Sequence, residues 1–291
     1  MNKQELVQSQ KKFSVQIQSD TYKNLINNTL GDKDKAQRFI ASISSAVAVN
    51  PTLQECEAGT ILSAALLGES LNLSPSPQLG FYYLVPFNDT KKGYKVAQFQ
   101  LGYKGYIQLA IRSGYYKKLN VMAIKKGELV RFDELNEEIE VNLIQDEEER
   151  ENAETIGYYA MFEYISGFRK AIYWSKAKME KHALRYSQGY KGDKAKHTAY
   201  TFWSKDFDGM AYKTMLRQLI SKWGIMSTDM QEAYQKDQAV IETNGDYEYV
   251  DNETIEDVIK DIPQANIIEE EPNLDELFPK KETNQVDINN L

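Results

Sequence analysis

The chain has 291 residues, with 35 Lys and Arg against 43 Asp and Glu and a formal net charge of −8. That length holds one large domain or two small ones, and 42% hydrophobic residues is ordinary for a soluble globular protein. No apolar run approaches a membrane span, the lone Cys56 excludes an internal disulfide, and one Cys with two His argues against a Cys/His zinc site.

Residues 1–30 are polar and weakly patterned and read as a flexible or helical arm; MNKQELVQSQKKF lacks the apolar core of a signal peptide. Asp32 to Val49 reads as a helix capped by Asp32, with Phe39, Ile40, Ile43 and Val47 apolar. Asn50-Pro51 opens a second helix to Leu73, since Pro suits the first helical position. Its buried positions include Leu62, Leu66 and Leu67, and Ser74-Pro75-Ser76-Pro77 ends it. Leu79–Phe87 and Tyr94–Leu101 read as a hairpin joined by residues 88–93. Gly102 to Ser113 returns to helical spacing, with Ile107, Ala110 and Ile111 on one face. Strands are predicted at Leu119–Ile124, Glu128–Phe132, Ile139–Ile144, Ile156–Tyr164 and Lys170–Trp174, and residues 146–154 as a solvated charged loop. Ser175 caps a helix that runs to Tyr186, and residues 188–198 read as a basic, glycine-containing loop. Phe207 to Trp223 is a helix with Met215, Leu216, Leu219, Ile220 and Trp223 as its core stripe.

Three regions follow: the arm 1–30, a core 31–225, and an acidic, largely disordered tail 226–291. The tail holds one apolar island, Asn273-Leu274-Asp275-Glu276-Leu277-Phe278, which composition favours as inert tail over a partner-binding segment. The predicted class is α+β, with helices flanking an antiparallel sheet.

The net charge hides a strong alternation. Residues 91–126 contain nine basic and no acidic side chains, whereas residues 127–166 contain two basic and thirteen acidic. Residues 167–222 contain thirteen basic and four acidic, and residues 227–291 four basic and eighteen acidic. Local field, not net charge, decides where a polyanion docks. In the first basic segment the cations are interleaved with Tyr94, Phe99, Tyr103, Tyr106, Tyr115 and Tyr116. Cations hold phosphates and ring faces stack on unpaired bases, so the pattern suits single-stranded nucleic acid.

Two constellations carry that reading. In LGYKGYIQLAIRSGYYKKL, Leu101 to Leu119, helical spacing puts Lys104, Gln108 and Arg112 on one face. Gly102 and Gly105 allow close approach near the helix start, and Lys117 and Lys118 extend the cationic surface. A solvated basic face is the commoner role for any one lysine, but 36 residues without an acid are not what random solvation produces. In TFWSKDFDGMAYKTMLRQLISKW, Thr201 to Trp223, Lys213 and Arg217 flank the apolar stripe one turn apart, with their heads expected at a groove edge. Trp203 and Phe207 are core more often than stacking platform, and Asp206 and Asp208 suit helix caps. No GxxxxGK[ST], HExxH, CxxC or GxSxG motif occurs, so nucleotide hydrolysis has no support. The carboxylates between Asp133 and Glu154 leave a metal-dependent nuclease as a minor alternative.

LGYKGYIQLAIRSG, FWSKDFDGM and MAYKTMLRQLISKW, with its Lys213-Thr214-x-x-Arg217 core, resemble the RecT family of phage-type single-strand DNA annealing recombinases over roughly residues 30–225. The resemblance implies a curved antiparallel sheet packed against helices, similar to eukaryotic single-strand annealing proteins. It implies no catalytic residue and no ATP, with magnesium at most assisting annealing. It also implies a homo-oligomeric ring or helical filament on single-stranded DNA and nascent duplex. A partner exonuclease and a host single-stranded-DNA-binding protein follow as expected partners, in the cytoplasm of a bacterial host cell. By carry-over, Lys104, Arg112, Lys213 and Arg217 are the first phosphate contacts, with Lys117, Lys118, Lys205, Tyr103 and Trp203 behind them. A passive single-strand binder would share the same basic and aromatic pattern.

Overall fold

The computed structural model describes residues 12–89 and 92–248. The tip of the expected hairpin loop, the apolar island and most of the acidic tail lie outside the described residues.

The chain opens with α1 (Phe13–Gln16), α2 (Asp20–Leu30) and α3 (Lys33–Val49). Phe13, Ile17 and Ile26 are fully buried, so this part of the polar-looking N-terminal stretch packs into the core. Asp32 caps α3 as its sequence suggests, accepting the Lys35 N–H at 2.9 Å. The single helix expected from Pro51 to Leu73 is instead two pieces. Pro51–Glu55 forms a 3-10 turn, Cys56 bridges to Lys95, and α4 (Ala58–Ser70) starts at Glu57. The Glu57 carboxylate accepts the N–H groups of Gly59 and Thr60, a second cap that restarts the helix. α4 is apolar almost all round and is buried accordingly.

β1 (Tyr82–Asp89) and β2 (Tyr94–Leu101) form the hairpin, and α5 (Tyr103–Ser113) follows. β3 (Tyr116–Lys125), the short β4 (Leu129–Asp133) and β5 (Glu138–Val141), α6 (Glu147–Asn152), β6 (Thr155–Tyr164) and β7 (Arg169–Ser175) come next. Then come α7 (Lys176–Tyr186), α8 (Gln188–Lys196), α9 (Phe202–Lys205), α10 (Phe207–Trp223), α11 (Thr228–Lys236), β8 (Ala239–Ile241) and β9 (Tyr247–Glu248). One sheet has the order β1-β2-β8-β9, a second β3-β6-β7, and β4-β5 pair alone, each pairing antiparallel. The class is α+β, antiparallel sheets against helices, as the sequence predicts.

Three further segments differ from expectation, each for a local reason. The charged stretch 146–154 is helical: Asp146 caps α6, and Arg150 reaches the fully buried Glu128 at 2.7 Å. Residues 188–196 are also a helix, capped by Ser187 and burying Tyr190 and Asp193. On α5 the buried face is Tyr106, Leu109 and Ala110, while Ile111 is 60% exposed.

Alternation in β6 separates two layers. Tyr158, Ala160 and Phe162 pack with Met215 and Leu219 of α10, whereas Tyr159 and Met161 pack with Leu129, Ile139 and Val141 of the β4–β5 hairpin. The next residues along α10, Leu216 and Ile220, point about 100° round the helix and enter a different core, with Tyr106, Leu109 and Ala110 of α5. α10 is therefore a wall shared by two cores. Each buried Leu or Ile there contributes about 1.5–3 kcal/mol by removing apolar surface from water.

Candidate nucleic-acid interface

The two basic segments meet at a carboxylate of the stretch 226–291, which the sequence alone assigns to the acidic tail. Asp237 is buried between α11 and β8. It accepts the Leu101 N–H at 2.9 Å and the Tyr106 hydroxyl at 3.3 Å, both from the first segment. It also accepts Lys213 Nζ at 2.9 Å and an Arg217 guanidinium N–H at 2.5 Å, both from the second. Burial would raise the Asp237 pKa, but Lys213 and Arg217 outweigh it and hold the carboxyl below its ordinary range. The same burial lowers the Lys213 pKa against the pull of Asp237.

This geometry changes where the two cations sit. Lys213 is 5% exposed and its charge is committed to Asp237, so its head lies inside the fold instead of at a groove edge. Arg217 is partly exposed and also lies over the Tyr234 ring at 4.4 Å. Arg112 is exposed, yet its guanidinium donates to the carbonyls of Leu71 at 2.6 Å and Asn72 at 3.4 Å. It thereby satisfies carbonyls at the C-terminal end of α4. Lys117 and Lys118 are exposed and share Glu163, at 2.6 and 3.5 Å. They line a shallow groove of about 480 Å³ with Ile107, Ile111 and Tyr116.

Lys104 and Lys205 are different. Both are exposed, and neither has an ion partner among the described residues. Lys104 stands in the first turn of α5, which reaches β1 by close backbone approach. Gly102 donates to the Phe81 carbonyl at 2.8 Å. A β-carbon on Gly102 would sit 2.2 Å from the Gly80 carbonyl oxygen, and one on Gly105 2.1 Å from that of Phe81. The space at the two glycines is thus taken by the backbone that leads into β1. Tyr83 Oη and Lys104 Cδ lie 3.0 and 3.6 Å from the position of a β-carbon on Gly80, so these side chains are neighbours. Tyr83 in turn meets the Phe202 ring at 5.3 Å, on the short helix that ends in Lys205.

Among the aromatic candidates, Phe99 and Tyr106 are fully buried. Tyr103 sits edge-on to Tyr212 at 5.6 Å. Trp203 is 7% exposed and packs on Phe207 and Tyr190, which makes it core. Asp206 caps α10 through Gly209 N–H, and Asp208 accepts the Tyr158 hydroxyl at 2.6 Å.

The β4–β5 hairpin of the acidic segment lies on the other side of the second sheet from α10, where it covers Tyr159 and Met161. Three of the segment's carboxylates are held within the fold: Glu128 binds Arg150, Glu137 binds Lys170, and Asp133 accepts from Leu135 and Asn136. Among the described residues no three His, Cys, Asp or Glu are grouped so as to hold a metal ion.

Asp237 is the residue that sequence reasoning missed. Its signal was the apolar triplet Ala239-Val240-Ile241 just after it, which marks a strand inside a stretch otherwise read as tail.

The sequence model of the RecT family matches residues 37–255, a span that includes both basic segments and Asp237. The chain belongs to the RecT family. It is 37% identical over 277 residues to "Uncharacterized protein YqaK" of Bacillus subtilis (strain 168), across 93% of this chain and 86% of that one. It is 27% identical over 228 residues to "Protein RecT" of Escherichia coli (strain K12), across 75% and 80%. RecT family membership supports a function in recombination by strand annealing. No helix among the described residues is long and apolar enough to cross a membrane.

Proposed function

We propose that this protein binds single-stranded DNA and anneals complementary strands without ATP, acting as an oligomeric ring or filament. The observation that carries the reading is the junction at Asp237. It joins two cation-rich segments, on which Lys104 and Lys205 stand exposed and without an ion partner among the described residues. Exposed cations neutralise backbone phosphates, which leaves base edges for a second strand. Pairing itself then supplies the driving force, so no phosphate loop is needed. Lys104 and Lys205 lead the phosphate contacts, with Lys117, Lys118 and Arg217 beside them. Arg112 and Lys213 act first as structural groups in this arrangement. The reading extends to a catalytically inactive protein that works beside an exonuclease and a single-stranded-DNA-binding protein in the bacterial cytoplasm.

The test is to mix the protein with complementary oligonucleotides. Duplex formation is expected to speed up equally with and without ATP. Slower annealing with intact strand binding would instead identify a passive binder. Magnesium-dependent loss of labelled DNA would identify a nuclease.

A further inference from the structure

Residues 197–201 connect α8 to α9 as a loop held from beneath by one carboxylate. Asp193 is buried and accepts five hydrogen bonds. They come from the hydroxyls of Thr198, Thr201 and Ser204, at 2.7, 2.8 and 2.7 Å, and from the N–H groups of Tyr200 and Thr201, at 3.0 and 2.8 Å. The backbone of this loop is therefore fixed. Tyr200 in the loop is 79% exposed, and Phe202, the first residue of α9, is 39% exposed. Two exposed rings two residues apart on a fixed backbone offer their faces to something that covers them.

The surroundings say what that something is. Phe202 leans on Tyr83, whose neighbour is Lys104, and Lys205 ends the same short helix. Lys194 and Lys196 precede the loop; Lys194 lies over the Tyr190 ring at 5.3 Å and is paired with Glu180 at 3.0 Å. The nearby carboxylates are occupied: Asp193 by the loop, Asp206 by the α10 cap and Asp208 by Tyr158. Rigid exposed rings bordered by the unpaired Lys104 and Lys205 are the combination that grips a base by its face and its strand by the phosphates.

We infer that Tyr200 and Phe202, with Tyr83 behind Phe202, form a stacking platform for an unpaired base of single-stranded DNA. This rests on the strand-binding reading above. It replaces Tyr103 and Trp203, whose rings are occupied by Tyr212 and by the core, as the aromatic part of that site. Lys104 belongs to the first basic segment and Phe202 and Lys205 to the second, with Tyr83 of β1 between Lys104 and Phe202, so the platform bridges both.

The full-length protein is mixed with a single-stranded oligonucleotide carrying 2-aminopurine, whose fluorescence changes on stacking. The parent protein is expected to change that signal. The double variant Tyr200→Ala, Phe202→Leu is expected to lose most of the change and to bind roughly ten-fold or more weakly, while the salt dependence keeps its slope. Tyr200→Phe keeps a ring and is expected to behave as the parent. Tyr200→Ala alone, at so exposed a position, reports without any risk to folding. Parental signal and affinity in the double variant would overturn the platform while leaving strand binding intact, and would assign the rings to a protein partner. A parent protein that leaves the strand unbound would overturn both readings.

Discussion

Asp237 accepts hydrogen bonds from four residues that come from two distant parts of the chain. Replacing it by Ala leaves the Lys213 ammonium buried without its counter-charge. Breaking one half of a buried pair costs about 3–5 kcal/mol, so Asp237→Ala is expected to lose that much stability in urea unfolding. A variant that unfolds at the parental midpoint would show that water reaches Lys213. His182 gives a pH-dependent counterpart. It packs against Trp174 and Tyr186, and burial, with Arg217 and Arg185 adding to it, lowers its pKa from 6.5 to about 4. The folded state therefore refuses a proton that the unfolded chain accepts. Stability from this group is full above pH 6.5 and falls as pH drops towards 4. His182→Phe is expected to flatten the slope of melting temperature across that window, and an unchanged slope would assign it to other groups.

At the scale of elements, α5 is placed by glycine. The β-carbon of Gly105→Ala would overlap the Phe81 carbonyl oxygen, a backbone atom that cannot swing away. The helix would have to lift from β1, at a cost of about 1–3 kcal/mol typical of overpacking. Urea unfolding of Gly105→Ala reads this directly, and a loss well below that range would mean the strand yields. α10 was legible in the sequence because its apolar residues repeat at helical spacing, and β6 because a run of aromatic and apolar residues makes a strand buried on both faces. α6 and α8 were not, because their order comes from single contacts that no periodicity records. Arg150 anchors α6 on Glu128, and Ser187 and Asp193 hold α8. The site was half legible. Charge alternation found the two segments, yet a string of letters does not tell a cation facing water, such as Lys104, from one neutralised inside, such as Lys213.

For the whole molecule, the distinction between free and committed cations becomes a binding prediction. If strand affinity rests on phosphate neutralisation, it is expected to fall by orders of magnitude between ~50 and ~200 mM salt. Lys104→Ala and Lys205→Ala are each expected to lower the salt slope by ~1 with little change in unfolding. Arg112→Ala, which removes donors to the Leu71 and Asn72 carbonyls, is expected to act on stability more than on the slope. Equal slope changes in all three, measured by fluorescence anisotropy across a salt series, would contradict this division.

The bond from Leu101 to Asp237 spans 136 residues, and β8 lies against β2 at a similar separation. A ribosome therefore synthesises β1, β2, α5 and the whole of α10 before the group that neutralises Lys213. Until residue 241 emerges, the nascent chain exposes an unfinished sheet edge and an uncompensated cation pair. Contacts of such long range slow folding and leave unpaired strands open to aggregation. Any C-terminally shortened form must therefore retain β8 to be made soluble, however much of the acidic tail is removed.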